Sequence, residues 1–374
     1  MNLKAQLAKH YINLRGWKTQ RKIVVIESDD WGSIRMPSRQ VVDLFKSKNY
    51  PLEINKFTLF DGLERQVDLE ELFKVLESHK DKNGNNPVIT ACAVVANPDF
   101  DKIRESNFKE YFFEPLNETY SNYGENNLLN LWVEKGIKKN LLYPQFHGRE
   151  HLNPSRWLKV LQSNNQMEKE AFDNKTLLGL IGGQTTNNDI YMAAFEAITE
   201  EDKESVSRIT KEGLNMFEQT FGFKSLSFMP SQAKQFEELN ETLMACGVKF
   251  NQAGQFSLPI ENGIFKTINN FWGDVDKFGI KYWRRNCTFE PYKGSKNPVD
   301  SCLQEIEIAF RCGKPAVINS HRINFTSRIN KEHRDLSLQS LNDLLSKIIK
   351  KYPQVEFLNS EQLAKVMLED DKTK

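Results

Sequence analysis

The chain reads as an α/β protein built from βα units around a mostly parallel sheet. Three observations predict this class. Short apolar runs alternate with segments of helical periodicity along most of the 374 residues. Such units are numerous enough to suit a (β/α) barrel better than a small open sheet. Residues able to carry chemistry collect just after the apolar runs, at the carboxyl ends where parallel α/β folds place their sites.

The elements follow in order. Ile23–Ile26 is a continuous apolar run, the pattern of a strand buried on both faces, and it leads into Asp29-Asp30. Further strands are predicted at Val88–Val95, Leu141–Phe146, Ser225–Phe228, Val248–Asn251, Pro315–Asn319 and Val355–Leu358. Helices are predicted over Leu69–His79, Pro154–Gln162, Asp202–Phe221, Phe236–Cys246, Pro298–Cys312 and Leu336–Lys350. No Gly/Ser- or Pro-rich linker divides the chain, so residues 1–374 are expected to form a single domain. Two long irregular stretches, around 97–140 and 163–200, read as insertions in the barrel's loops, where specificity usually resides.

Composition narrows the function classes. Hydrophobic residues make up 39% and charged residues 27%, as in a soluble globular protein. A net charge of +1 argues against dedicated nucleic-acid binding. No apolar run approaches the roughly 18 residues a membrane helix needs. Met1–Gln20 mixes charged and apolar residues, unlike a secretory signal. The five cysteines are scattered, odd in number and free of CxxC spacing, so the expectation is a reduced, cytoplasmic setting. Oligomeric state is left open.

Two motifs carry the chemistry. The doublet Asp29-Asp30 ends one strand, and His147-Gly148-Arg149-Glu150-His151 follows another. Two imidazoles spaced by four residues share one face of a helical turn, so both are expected to reach one ion. With a carboxylate they form the skeleton of a metal-assisted hydrolase. A third strand end delivers His321 and Arg322. The bland readings are a solvated acidic turn, a capping histidine pair and a satisfied core histidine. Coincidence of all three features at strand ends weighs against them. His10, His79 and His333 read as surface residues, and Cys302 and Cys312 as packing residues. Gly182-Gly183 lacks the rest of either phosphate-binding glycine motif, and no GxSxG elbow occurs.

These residues resemble the polysaccharide deacetylase family, carbohydrate esterases with a distorted (β/α) barrel. The family's T-F-D-D-G motif corresponds to Glu27-Ser28-Asp29-Asp30-Trp31-Gly32, and its H-[ST]-x-x-H motif to His147–His151. Its final histidine corresponds to His321 in Val317-Ile318-Asn319-Ser320-His321. The resemblance implies a divalent metal, expected to be Zn2+, on Asp30, His147 and His151. It implies Asp29 as general base and His321 as general acid. The R-P-P-Y motif aligns with Met229-Pro230-Ser231-Gln232, so a methionine stands where the family has an arginine that orients the base. Arg285 and Arg322 are the substitutes on offer, and the backbone N–H of Gln232 would serve an oxyanion hole. For the motif that tunes the acid, Arg285-Asn286 and Glu290 near Trp283 are the local counterparts.

The implied activity is removal of N-acetyl or O-acetyl groups from a carbohydrate or sugar-containing precursor. Trp31, Trp272 and Trp283 are available to stack on sugar rings or to pack the core. Two alternatives come from other classes: a carbohydrate-binding barrel without turnover, and a glycosidase using Asp29 with Glu290. The same ligand set also suits non-haem iron, although those sites favour H-x-D spacing.

Overall fold

The computed structural model describes residues 10–163, 165–179, 191–259, 265–294 and 297–372; Gly182-Gly183 lies outside them. In chain order the strands are β1 (Lys22–Trp31), β2 (Ile89–Val94), β3 (Ala96–Pro98), β4 (Phe113–Pro115), β5 (Leu142–Gly148), β6 (Ser227–Phe228) and β7 (Phe250–Asn251). There follow β8 (Gln255–Pro259), β9 (Phe265–Asn269), β10 (Lys281–Tyr282), β11 (Cys287–Thr288), β12 (Ala316–His321) and β13 (Val355–Phe357). The main sheet is parallel throughout, in the order β10-β7-β6-β5-β2-β1-β12-β11. It curls into a distorted (β/α) barrel. On β1, Val24 pairs with Ala316 of β12 along one edge and Phe357 of β13 along the other, below the point where β2 takes over at Ile26.

The two ends of that order, β10 and β11, are joined by Trp283–Asn286 alone. This segment forms a seam. Trp283 donates its N–H to the Asn251 carbonyl (3.4 Å) on the β7 side, and Asn286 donates to the Val317 carbonyl (3.1 Å) on the β12 side. Asn286 secures the crossing further. Its amide donates to Asn13 Oδ1 (2.7 Å) and the Pro315 carbonyl (2.8 Å), and its Oδ1 accepts from Val317 N–H (2.8 Å).

Strand alternation sorts side chains to two faces. Val24 and Ile26 join the large cluster between sheet and helices. Ile23, Val25 and Val317 join a second cluster with Trp17, Trp272, Trp283 and the helix Ser360–Lys372, through Leu363, Ala364 and Met367. That second face is the barrel interior. Along it the composition changes from apolar at the base to polar at the carboxyl end, through Glu27 to Asp29 on β1 and Asn319 to His321 on β12.

The helices begin where the chain supplies a capping side chain. Asn153 caps Pro154–Gln162, Thr199 caps Glu200–Phe221 and Asn297 caps Pro298–Arg311; proline occupies the first turn of the first and third. Glu200, Glu201 and Asp202 complement the dipole of the second, and Gly222 at φ +83° closes it. Lys331–Lys351 starts before the predicted Leu336 because Asn330 caps it at His333. Two expected strands shrink to the pairs Ser227–Phe228 and Phe250–Asn251, since Lys249 and Phe250 both donate to the Leu226 carbonyl and break the ladder. The β8–β9 hairpin was not predicted, although Phe256 and Leu258 alternate toward the core as a strand should. His333 and His79 are half-buried rather than surface groups: one packs on Phe60 at 4.9 Å, the other meets Asn342 Oδ1 at 3.0 Å. Among the described residues no helix is long and apolar enough to cross a membrane.

The seam gives a stability test. Asn286→Ala removes three buried hydrogen bonds and is expected to lower unfolding free energy by about 2–4 kcal/mol in urea titration. A loss under about 0.5 kcal/mol would show that these bonds do not hold the crossing.

Candidate metal centre and active site

Adjacent residues of a regular strand point to opposite faces, so Asp29 and Asp30 should not share a cavity. They do, because β1 is bulged there. Its register against β2 shifts between Ser28 and Trp31, and Asp30 adopts φ +75°. That left-handed conformation costs a non-glycine residue about 1–3 kcal/mol and turns the side chain inward beside Asp29. Strand β5 repeats the device. Its register against β2 skips His147 between Phe146 and Gly148, and Gly148 takes φ +145°.

The histidine pair is therefore delivered differently from the sequence expectation. His147 sits on β5 and His151 in the bend beyond it, not on a helical turn. The glycine after His147 lets the chain fold back, which brings the rings to 5.1 Å between centroids. Ligand atoms of Asp30, His147 and His151 lie within 4.8 Å of one another, and all three residues are buried. Asp30 Oδ1 is 2.9 Å from His151 Nε2 and 3.5 Å from His147 Nε2. His147 Nδ1 donates to the Met229 carbonyl (2.7 Å), which fixes the tautomer and leaves Nε2 as a lone pair. Among the described residues that buried Nε2 has no hydrogen-bond partner. A buried lone pair beside a carboxylate, with a second imidazole opposite, is a donor set that fits a divalent cation. Burial alone would raise the Asp30 carboxyl, but His151 and His147 hold it well below the ordinary range. Desolvation in turn depresses His151.

Asp29 is held by the seam. Arg285 donates Nη1 to Asp29 Oδ2 (2.6 Å) and Nη2 to Asp29 Oδ1 (2.7 Å), the bidentate geometry that suits a carboxylate best. Its Nε donates to Glu27 Oε2 (2.6 Å), and its remaining hydrogens reach Asn319 Oδ1 (2.8 Å) and Gln252 Oε1 (3.0 Å). Burial opposes ionisation of Asp29, yet the guanidinium outweighs it and brings the carboxyl to about 2. Glu27 carries no obvious signal in the sequence. It is fully buried and anchored by Trp283 Nε1 (3.0 Å) and Ser360 Oγ (2.7 Å). The alternation Ile23, Val25, Glu27, Asp29 was the one available clue.

His321 closes the cavity from β12. Its Nδ1 donates to Glu290 Oε1 at 2.5 Å, while Nε2 faces Asp29 Oδ2 at 3.9 Å. Burial would lower this imidazole, but Glu290 first, with Asp30 and Asp29, raises it to about 9. Glu290 is fixed by Asn324 Nδ2 at 2.8 Å. These groups meet in a cavity of about 380 Å³, lined also by Gln232, whose φ of +57° marks a tight turn after Pro230.

Arg322 lies elsewhere. It is fully buried, forks onto Asp61 (2.9 and 3.0 Å) and reaches Glu64 (2.9 Å), so it does not touch Asp29. Trp31, Trp272 and Trp283 are wholly buried, which assigns all three to the core rather than to ring stacking. Glu290 is engaged by His321 and Asn324 and is not among the residues that line the cavity.

Metal loading tests the centre. Purified protein is expected to bind one divalent ion, and saturation at about 100 Kd to stabilise it by about 2.7 kcal/mol. Asp30→Asn, which tolerates positive φ, and His147→Ala should lose both metal content and stabilisation. Retained metal in either variant would remove the assignment.

No family model and no curated protein matches this sequence. Solved structures are similar in chain path. A protein from Mycobacterium smegmatis assigned as a polysaccharide deacetylase is 10% identical, with 96% of this chain and 94% of that chain covered and a TM-score of 0.40. A 4-alpha-glucanotransferase from Thermococcus litoralis is 10% identical, covering 91% of this chain and 40% of the other, with a TM-score of 0.44. A mutant of a CE4 family pseudoenzyme is also 10% identical, over 92% of this chain and 67% of that one, at a TM-score of 0.36.

Proposed function

We propose that this protein is a metal-dependent hydrolase that removes an N-acetyl or O-acetyl group from a carbohydrate or sugar-containing precursor. The observation that supports it is the division of one cavity into three chemical parts. Asp30, His147 and His151 form a cation site, Asp29 is a clamped second carboxylate, and His321 is a carboxylate-backed imidazole. Zinc is the ion we assign, since two imidazoles and one carboxylate leave positions open. When bound, the ion supplies Lewis acidity, which acidifies a water and polarises an acyl carbonyl.

Asp29 is the proton acceptor. Arg285 keeps it ionised at every working pH, at some loss of basicity, and holds its orientation. The protonated His321 faces the same space through Nε2 and donates to the leaving amine or alcohol. The Gln232 backbone N–H is proposed as the oxyanion donor. A binding barrel without turnover was attractive because Met229 replaces an arginine. The fork of Arg285 onto Asp29 from the seam supports the hydrolase reading over it.

Asp29→Asn is expected to lower acetate release at least 100-fold while metal content stays at the wild-type level. An active variant would exclude Asp29 as the base. The rate should fall as pH rises through about 9, where His321 loses its proton. Glu290→Gln should move that alkaline limb down by about one to three pH units, read from the kcat profile. The same raised imidazole contributes stability that is complete below the unfolded value of 6.5 and is lost as pH rises through about 9.

A further inference from the structure

Besides His147 Nε2, the lining of the cavity holds two buried polar groups without a hydrogen-bond partner among the described residues, His151 Nδ1 and the Arg35 guanidinium. Arg35, just past the end of β1, lines the cavity with 4% of its surface exposed. Its Nε and Nη1 are buried, and among the described residues they have no hydrogen-bond partner. Asp61 is the nearest carboxylate, at 3.9 Å from Nε, beyond hydrogen-bond reach. Both oxygens of Asp61 are already taken by the Arg322 fork at 3.0 and 2.9 Å. A guanidinium always carries its charge, and leaving its N–H groups buried without acceptors is costly. Proteins keep such a group where a ligand supplies the missing acceptor.

Arg35 Cζ lies 5.6 Å from the centre of the Phe57 ring, and that ring meets His321 edge-on at 5.4 Å. Arg35 and His321 thus both pack on Phe57 in the lining of the cavity. His147 Nε2 offers a lone pair and Arg35 offers N–H donors, so the cavity can take a cation and an anion together.

We propose that Arg35 is a specificity residue that binds an anionic group, a carboxylate or phosphate, borne by the substrate. The substrate class is then an acylated acidic sugar or sugar phosphate rather than a neutral glycan. This rests on the hydrolase reading above, which it deepens.

The test measures binding by calorimetry of N-acetylglucosamine, N-acetylglucosamine 6-phosphate and N-acetylmuramic acid to the metal-loaded protein and to protein stripped by chelator. At least one anionic probe is expected to bind about tenfold or more tightly than the neutral one, in both metal states. In Arg35→Met that ratio should fall to about one, with Arg35→Lys intermediate because it keeps charge but not the fork. The phosphate and carboxylate arms identify the anion. Equal binding of all probes by the wild type overturns the proposal, as does failure of both anionic probes to bind up to millimolar concentration. A preference that survives in Arg35→Met but vanishes on chelation also overturns it, by placing the anion on the metal. If Arg35→Met fails to fold, the Arg35→Lys ratio decides: an unchanged preference counts against the fork. Absence of acetate release with the Arg35-dependent preference intact would overturn the hydrolase reading alone.

Discussion

The structure turns on one cation placed between two carboxylates. Arg285 lies buried between Glu27 and Asp29 and spends every N–H on a partner. Such an arrangement adds little net stability over a hydrophobic substitute, because desolvation of three charges offsets their attraction. Breaking it is a different matter, since removing the arginine leaves two acids uncompensated in the barrel interior, at about 3–5 kcal/mol for a buried pair. The interaction is therefore better understood as a device for specificity. It dictates which carboxylate of the doublet is anchored and leaves the other to the imidazoles. Desolvation would push both acids toward the neutral form; the Arg285 guanidinium offsets this for Asp29 and the neighbouring imidazoles for Asp30.

Regular secondary structure alone does not assemble this centre. A straight β1 would send Asp30 outward into the helical layer, and a straight β5 would leave no slack for His151 to return toward His147. Each strand departs from regularity at a residue of the candidate metal site, Asp30 on β1 and His147 on β5. The strain is local and is supported by the layers beneath, where Ile23, Val25 and Val317 pack on the terminal helix. Rigid apolar packing at one end of the barrel permits distorted backbone at the other.

Much of this was legible in the sequence. The βα rhythm, the strand ends bearing Asp29-Asp30, His147 and His321, and the helix starts at proline and asparagine all follow from local chemistry. What was hidden depends on contacts distant in sequence. The sequence offers Arg285 and Arg322 as partners for Asp29 without choosing between them, because the choice is made by ring closure. Glu27 was obscured because a single acid in an apolar run reads as an interruption, whereas its buried partner is more than 250 residues away. The histidine spacing misled in a different way. Four residues match one helical turn, but a glycine at positive φ brings the same two rings together without a helix. Met229 shows a further limit, since it serves His147 through its backbone carbonyl and any side chain would leave that contact in place.

The seam has a mechanical consequence. Trp283–Asn286 acts as a clasp on a ring, holding the two rims of the barrel and carrying the counter-ion of Asp29 at the same point. Breathing there would slacken the Arg285 fork, so the barrel cannot gape at this joint and keep Asp29 clamped. Chain connectivity is therefore unequal around the ring. Re-tying the chain so that its termini fall in an outer loop preserves the clasp, whereas a circular permutation opened between Tyr282 and Cys287 would part the rims and the charge together.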